Sequence, residues 1–151
     1  MLVVEDDPER LLRDEEIVAA LGYEPVGFTR AVDARALCQE APERFDVLVV
    51  GRLAPMTAAL DLAAALHKIT PGLPILLATA SADDFGASAL MAAGISDVVP
   101  WPIITTEIAT ALQDCLRRRG SPEERGSTPN IRRPFHDFEA QSVAEATSHR
   151  P

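Results

Sequence analysis

Short apolar runs alternate along residues 2–119 with stretches where apolar residues recur every three or four positions. The runs read as strands at about 2–5, 24–28, 45–50, 73–79 and 95–99. The third, Phe45-Asp46-Val47-Leu48-Val49-Val50, is nearly unbroken, as expected of a parallel strand buried on both faces. The periodic stretches predict helices at about 8–21, 30–40, 57–69 and 104–118, and a fourth between Ser81 and Gly94. Asp7 and Pro8 suit the N-cap and first turn of helix one, with Leu11, Leu12, Ile17, Val18 and Leu21 as its buried stripe and Gly22 ending it. Thr29 is expected to cap helix two. Ser81 is expected to cap helix four, with Asp83 and Asp84 in its first turn. Strict strand–helix alternation implies an α/β fold with a parallel sheet covered on both faces.

Residues 120–151 break the pattern. They carry Gly, Ser, Pro, Arg and Glu without a sustained apolar period, so the chain divides into a folded domain at 1–119 and a tail at 120–151 expected to be disordered. Pro134-Phe135-His136-Asp137-Phe138 is a candidate docking peptide within that tail. Met1 abuts the first strand directly, which suits a fragment, a misplaced start or a separate single-domain protein.

Composition narrows the chemistry. No apolar run reaches the roughly 18–20 residues of a membrane span, and no secretory signal is expected. The two cysteines, Cys38 and Cys115, stand apart in helical patterns, outside metal or redox spacings. A reducing cytoplasm is the expected compartment. A net charge of −9 argues against nucleic-acid binding. The Arg117-Arg118-Arg119 cluster is read as cations at a helix C-terminus. The first strand–helix turn, Glu5-Asp6-Asp7-Pro8, is acidic and lacks the glycines of a phosphate loop, which argues against nucleotide cofactors. There is no Gly-x-Ser-x-Gly elbow. His67 is read as an ordinary helical histidine.

Three strand ends carry a resemblance. Leu2-Val3-Val4-Glu5-Asp6-Asp7 closes strand one on acidic residues. Leu73-Pro74-Ile75-Leu76-Leu77-Ala78-Thr79-Ala80 ends strand four on a hydroxyl and a small residue. Val98-Val99-Pro100-Trp101-Pro102 closes strand five on a proline corner. Residues 1–119 thereby resemble the receiver (response-regulator, CheY-like) domains of two-component signalling. That resemblance implies a flavodoxin-like (βα)5 doubly wound sheet in the order 2-1-3-4-5, with its site where strands one and three diverge. It also implies a cis Trp101–Pro102 bond.

The resemblance also shows what has changed. The phosphorylated aspartate of the family falls on Gly51, which cannot be a nucleophile. The family's lysine falls on Trp101, and its aromatic switch on Val98. Thr79 keeps the hydroxyl position. Glu5 and Asp6 keep the acidic pair that helps hold magnesium. With Gly51 in place of the third carboxylate, only weak magnesium binding is expected, and the pair is read as solvated and mutually repelling. Arg52 is a candidate to fold back toward the pair as an internal cation. No cofactor and no catalytic residue are therefore assigned.

The expected function is a receiver-like module that is not phosphorylated and acts by protein–protein docking. Expected partners are a histidine kinase, a phosphotransfer domain, another receiver or a second copy of the chain. The helix-one to strand-two run Ala20-Leu21-Gly22-Tyr23-Glu24-Pro25 resembles receivers fused to hybrid sensor kinases. Leu90, Met91, Val98 and Ile104 are the candidate contact residues. The alternative is an atypical receiver that catalyses its own phosphorylation on Glu5, Asp6 or Asp7.

Overall fold

A computed structural model describes residues 1–119; the expected tail at 120–151 and its candidate docking peptide at 134–138 lie outside the described residues. The elements run β1 (Leu2–Val4), α1 (Pro8–Ala20), β2 (Val26–Phe28), α2 (Ala31–Glu40), β3 (Leu48–Val50), α3 (Thr57–Ile69), β4 (Ile75–Thr79), a 3-10 turn (Ala82–Asp84), α4 (Ala87–Ala92), β5 (Asp97–Pro100) and α5 (Thr105–Arg119). The five strands form one parallel sheet in the order β2-β1-β3-β4-β5, the flavodoxin-like arrangement expected.

Alternation along the strands builds the two layers. Leu2, Val4, Leu48, Val50, Ile75, Leu77 and Val98 face α2, α3 and α4, where they meet Ala34, Leu62, Leu66 and Leu90. Val3, Val49, Leu76, Ala78 and Val99 face α1 and α5, against Leu11, Val18, Ile108 and Leu112. Both faces being covered explains why the central strands are apolar at nearly every position.

Local signals set several boundaries. The Asp7 carboxylate accepts hydrogen bonds from the Glu9 and Arg10 amides at 2.9 and 3.3 Å, with Pro8 opening α1. Gly22 and Gly94 take positive φ (92° and 77°) just past α1 and α4, a conformation in which a Cβ is strained.

Other expectations are corrected. Arg30, not Thr29, is the N-cap of α2, and no side chain bonds the helix start. Ser81 does not cap α4. A 3-10 turn holding Asp83 and Asp84 intervenes, and α4 itself is six residues long, starting after extended Gly86. Phe85, between the turn and α4, packs against the core formed with α2, α3 and α4. Leu12 is 57% exposed, whereas Asp14 joins Leu11 and Val18 on the buried face of α1.

The strands are shorter than read, because parallel pairing ends where the chain bends toward each helix. The arginine cluster ending α5 is engaged locally: Arg117 pairs with Asp114, Arg118 approaches Asp97 at 4.0 Å, and Arg119 donates to the Asp46 carbonyl at 2.9 Å. Cys38 and Cys115 are both buried. No helix among the described residues is long and apolar enough to cross a membrane.

Candidate functional site

Register brings four chain positions to one edge of the sheet. Val4 lies beside Val50, Val50 beside Leu77, and Thr79 beside Pro100. The residues that follow, Glu5, Gly51 and Trp101, therefore join Thr79 at the carboxyl ends of the strands. This edge includes the β1/β3 divergence, where sheets of this order place their sites. Backbone hydrogen bonds fix the positions: Gly51 N–H to the Val4 carbonyl at 2.7 Å, Glu5 N–H to that of Phe28 at 3.1 Å, and Trp101 N–H to that of Thr79 at 3.0 Å. The Trp101–Pro102 bond is cis, as expected, and so is Ala54–Pro55.

Glu5 dominates the site, and its placement corrects the solvated pair read from the sequence. Its side chain is fully buried, while Asp6 is exposed. Oε2 of Glu5 accepts the Arg52 amide at 2.8 Å and the Trp101 indole Nε1–H at 3.1 Å; Oε1 accepts the Asp7 amide at 3.4 Å. A Cβ at Gly51 would overlap Glu5 Oε2 and stand 3.2 Å from its Cδ. The Glu5 carboxylate thus occupies the space that a side chain at Gly51 would need. Burial pushes the Glu5 pKa up, while the three N–H donors pull the other way.

Trp101 supplies no positive charge, but its N–H does part of a cation's work by donating to Glu5. Two guanidiniums then lie against its ring, Arg10 at 4.9 Å and Arg52 at 5.5 Å from the centroid. Arg52 reaches Glu5 through its backbone amide rather than its side chain, which corrects the internal-cation reading. Thr79 is buried, and its hydroxyl donates to the Ser81 carbonyl at 3.1 Å, so its bonding is local. The Asp7 carboxylate is committed to capping α1.

These residues do not fit magnesium. Octahedral coordination needs converging oxygens. Gly51 offers no side chain, and both oxygens of Glu5 already face N–H donors. Among the described residues no cluster of three His, Cys, Asp or Glu side chains is placed to hold a metal.

Asp14 was missed in the sequence. It is 1% exposed, its Oδ2 has no hydrogen-bond partner among the described residues, and burial with the nearby negative Glu5 raises its pKa to about 7. The signal was its spacing: Asp14 lies three residues after Leu11 and four before Val18, on the buried stripe. His67 is half-buried on α3. Its ring fills the space beside Gly94, and its buried Nδ1 has no hydrogen-bond partner among the described residues.

The four candidate contact residues separate. Met91 and Ile104 are 45% and 39% exposed, so both are available on the α4–β5–α5 side. Leu90 and Val98 are each 2% exposed and belong to the core; they cannot touch a partner as they stand.

Comparison with known proteins agrees with this geometry. No protein-family model matches the chain. "Probable transcriptional regulatory protein TcrX" of Mycobacterium tuberculosis is 35% identical over 121 residues, 80% of this chain and 50% of that protein. The chain spans about half the length of the curated relatives it matches. A response regulator receiver domain protein from Clostridium thermocellum superposes with a TM-score of 0.71 at 19% identity, covering 79% of this chain and 94% of that one. The Vibrio cholerae chemotaxis protein CheY4 superposes at 0.66 with 23% identity, covering 76% and 96%. In fold, residues 1–119 match CheY-like response-regulator receiver domains, a five-stranded parallel (βα)5 sheet in the order 2-1-3-4-5.

Proposed function

We propose that this receiver-type module is not phosphorylated and acts by docking a two-component partner: a histidine kinase, a phosphotransfer domain or another receiver. One observation carries the reading. The acceptor position is Gly51, and the space beside it holds the Glu5 carboxylate, tied to the Arg52 amide and the Trp101 indole. A phosphoryl group there would face a buried acid instead of a nucleophile, a metal and a cation. Electrostatic stabilisation of its developing charge would be missing.

Docking then works through a fixed conformation. A ligand shifts a two-state equilibrium only by its differential affinity for the states, and the phosphoryl input that would supply this is absent. Met91 and Ile104 offer apolar contact on the α4–β5–α5 side.

Incubation with acetyl phosphate and magnesium, followed by intact mass, tests the reading. The expected result is no mass gain. Gain of one phosphoryl group, mapped to Glu5, Asp6 or Asp7, favours the self-phosphorylating alternative. The G51D/W101K double variant restores acceptor and cation together. It is expected to label faster than either single variant, provided Glu5 can swing out of the acceptor space.

A further inference from the structure

Beside the Glu5–Trp101 contact lies an open cavity of about 300 Å³. Its wall is largely apolar, made by Leu53, Met56, Leu77, Phe85 and Trp101. Arg52, Thr79 and Asp84 are the polar members of the lining. Gly51 contributes to it without a side chain. The volume falls at the lower end of the range for small-molecule sites, and apolar walls with a few polar groups are their usual composition.

We propose that this cavity binds a small organic monocarboxylate with an apolar body. The charges set the ligand class and its orientation. The fully buried Glu5 carboxylate lies against Gly51, so its charge acts on the Gly51 part of the cavity from behind the lining. An anionic head is repelled from that part, and an apolar body is not. Arg52 is exposed at the opening and makes no ion pair among the described residues; its guanidinium rests over the Trp101 ring. A carboxylate there gains a charge-assisted hydrogen bond, and the planar guanidinium suits its two oxygens. Asp84, also in the lining, disfavours a doubly charged head such as a phosphate ester. Thr79 adds little, since its hydroxyl already donates to Ser81. The indole N–H is committed to Glu5, so Trp101 presents ring surface to the body of the ligand. Met56, 51% exposed, supplies an adaptable apolar contact.

Trp101 is the only tryptophan in the chain, so its emission reports on the cavity directly. The full chain is titrated with phenylacetate, phenylacetamide and acetate, with excitation selective for tryptophan. Phenylacetate is expected to give a saturable change. Phenylacetamide lacks the charge and acetate lacks the body; each is expected to bind at least tenfold more weakly. R52Q is expected to lose at least tenfold for phenylacetate. That variant changes an exposed side chain and keeps the amide that holds Glu5, so the fold is retained. D84N is expected to bind phenylacetate more tightly. No saturable change with phenylacetate overturns the proposal, as does equal binding of phenylacetamide. Undiminished binding by R52Q overturns the assignment of the carboxylate to Arg52.

Discussion

Substituting Gly51 by alanine adds one methyl group and should unsettle the site out of proportion to its size. Gly51 is not among the glycines with positive φ, so the backbone accepts alanine. The new Cβ would overlap Glu5 Oε2, so the carboxylate must move away from its present place. Its departure breaks hydrogen bonds from the Arg52 amide and the Trp101 indole. Hydrogen bonds to a charged group are each worth about 1.5–3 kcal/mol. Water recovers part of this at half-exposed Trp101, and alanine's lower unfolded-state entropy returns about 0.4–1 kcal/mol. The net expected loss is about 2–3 kcal/mol. With a urea slope near 1.5–2 kcal/mol/M, the midpoint falls by roughly 1–2 M.

The assay is urea unfolding followed by far-UV circular dichroism in a double-mutant cycle. With Glu5→Ala as background, the nearest remaining atom of residue 5 to the new methyl is its Cβ at 3.4 Å, an ordinary contact. There Gly51→Ala should cost less than about 0.5 kcal/mol, leaving a coupling near 2 kcal/mol. Equal costs in the two backgrounds would refute the claim that Glu5 fills the acceptor space.

Three further outcomes are expected. Trp101→Phe keeps an aromatic ring but removes the indole donor to Glu5; it should cost about 1–2 kcal/mol and raise the Glu5 pKa further, read by carbon-13 NMR titration. Asp14 has a folded pKa of about 7 against an ordinary 3.8, so the native state holds its proton more tightly than the unfolded chain. Its contribution is therefore fully present below about pH 4 and is lost as pH rises through 7, by at most roughly 4 kcal/mol at about 1.4 kcal/mol per pH unit. Asp14→Asn should flatten that dependence and be the more stable chain at pH 8 in thermal melts across pH. Glutamate at Met91 and Ile104 should abolish capture of a cognate kinase or phosphotransfer domain with the circular dichroism spectrum unchanged; retained capture would place the contact elsewhere.

Much of the fold was legible because its signals are local. The α3 boundaries follow from apolar periodicity, and the sheet order follows from the receiver-like strand ends. The four site positions were legible too, since Glu5, Gly51, Thr79 and Trp101 each stand at or just past a strand's carboxyl end. What they do together was not. A sequence shows the charge lost at Trp101, but not that its indole N–H points at Glu5. Nor does it show a glutamate side chain folding into the room left by a glycine, because that depends on a rotamer and a tertiary approach. The break before α4 was missed because Ser81, Asp83 and Asp84 look like a helix start, whereas Phe85, packed on the core, and extended Gly86 stand before the helix. Leu90 and Val98 were placed on a surface because periodicity on a short helix and an outer strand cannot separate the core face from a contact face.

The most direct test of the account is the indole N–H resonance of the nitrogen-15-labelled chain, which holds a single tryptophan. With Glu5 bonded to it, this N–H should exchange slowly with water. It should stay in place when magnesium and acetyl phosphate are added, and move and exchange quickly in Glu5→Ala. A resonance that exchanges quickly in the native chain, ignores Glu5→Ala, or shifts saturably with magnesium would contradict a site closed by Glu5 and Trp101.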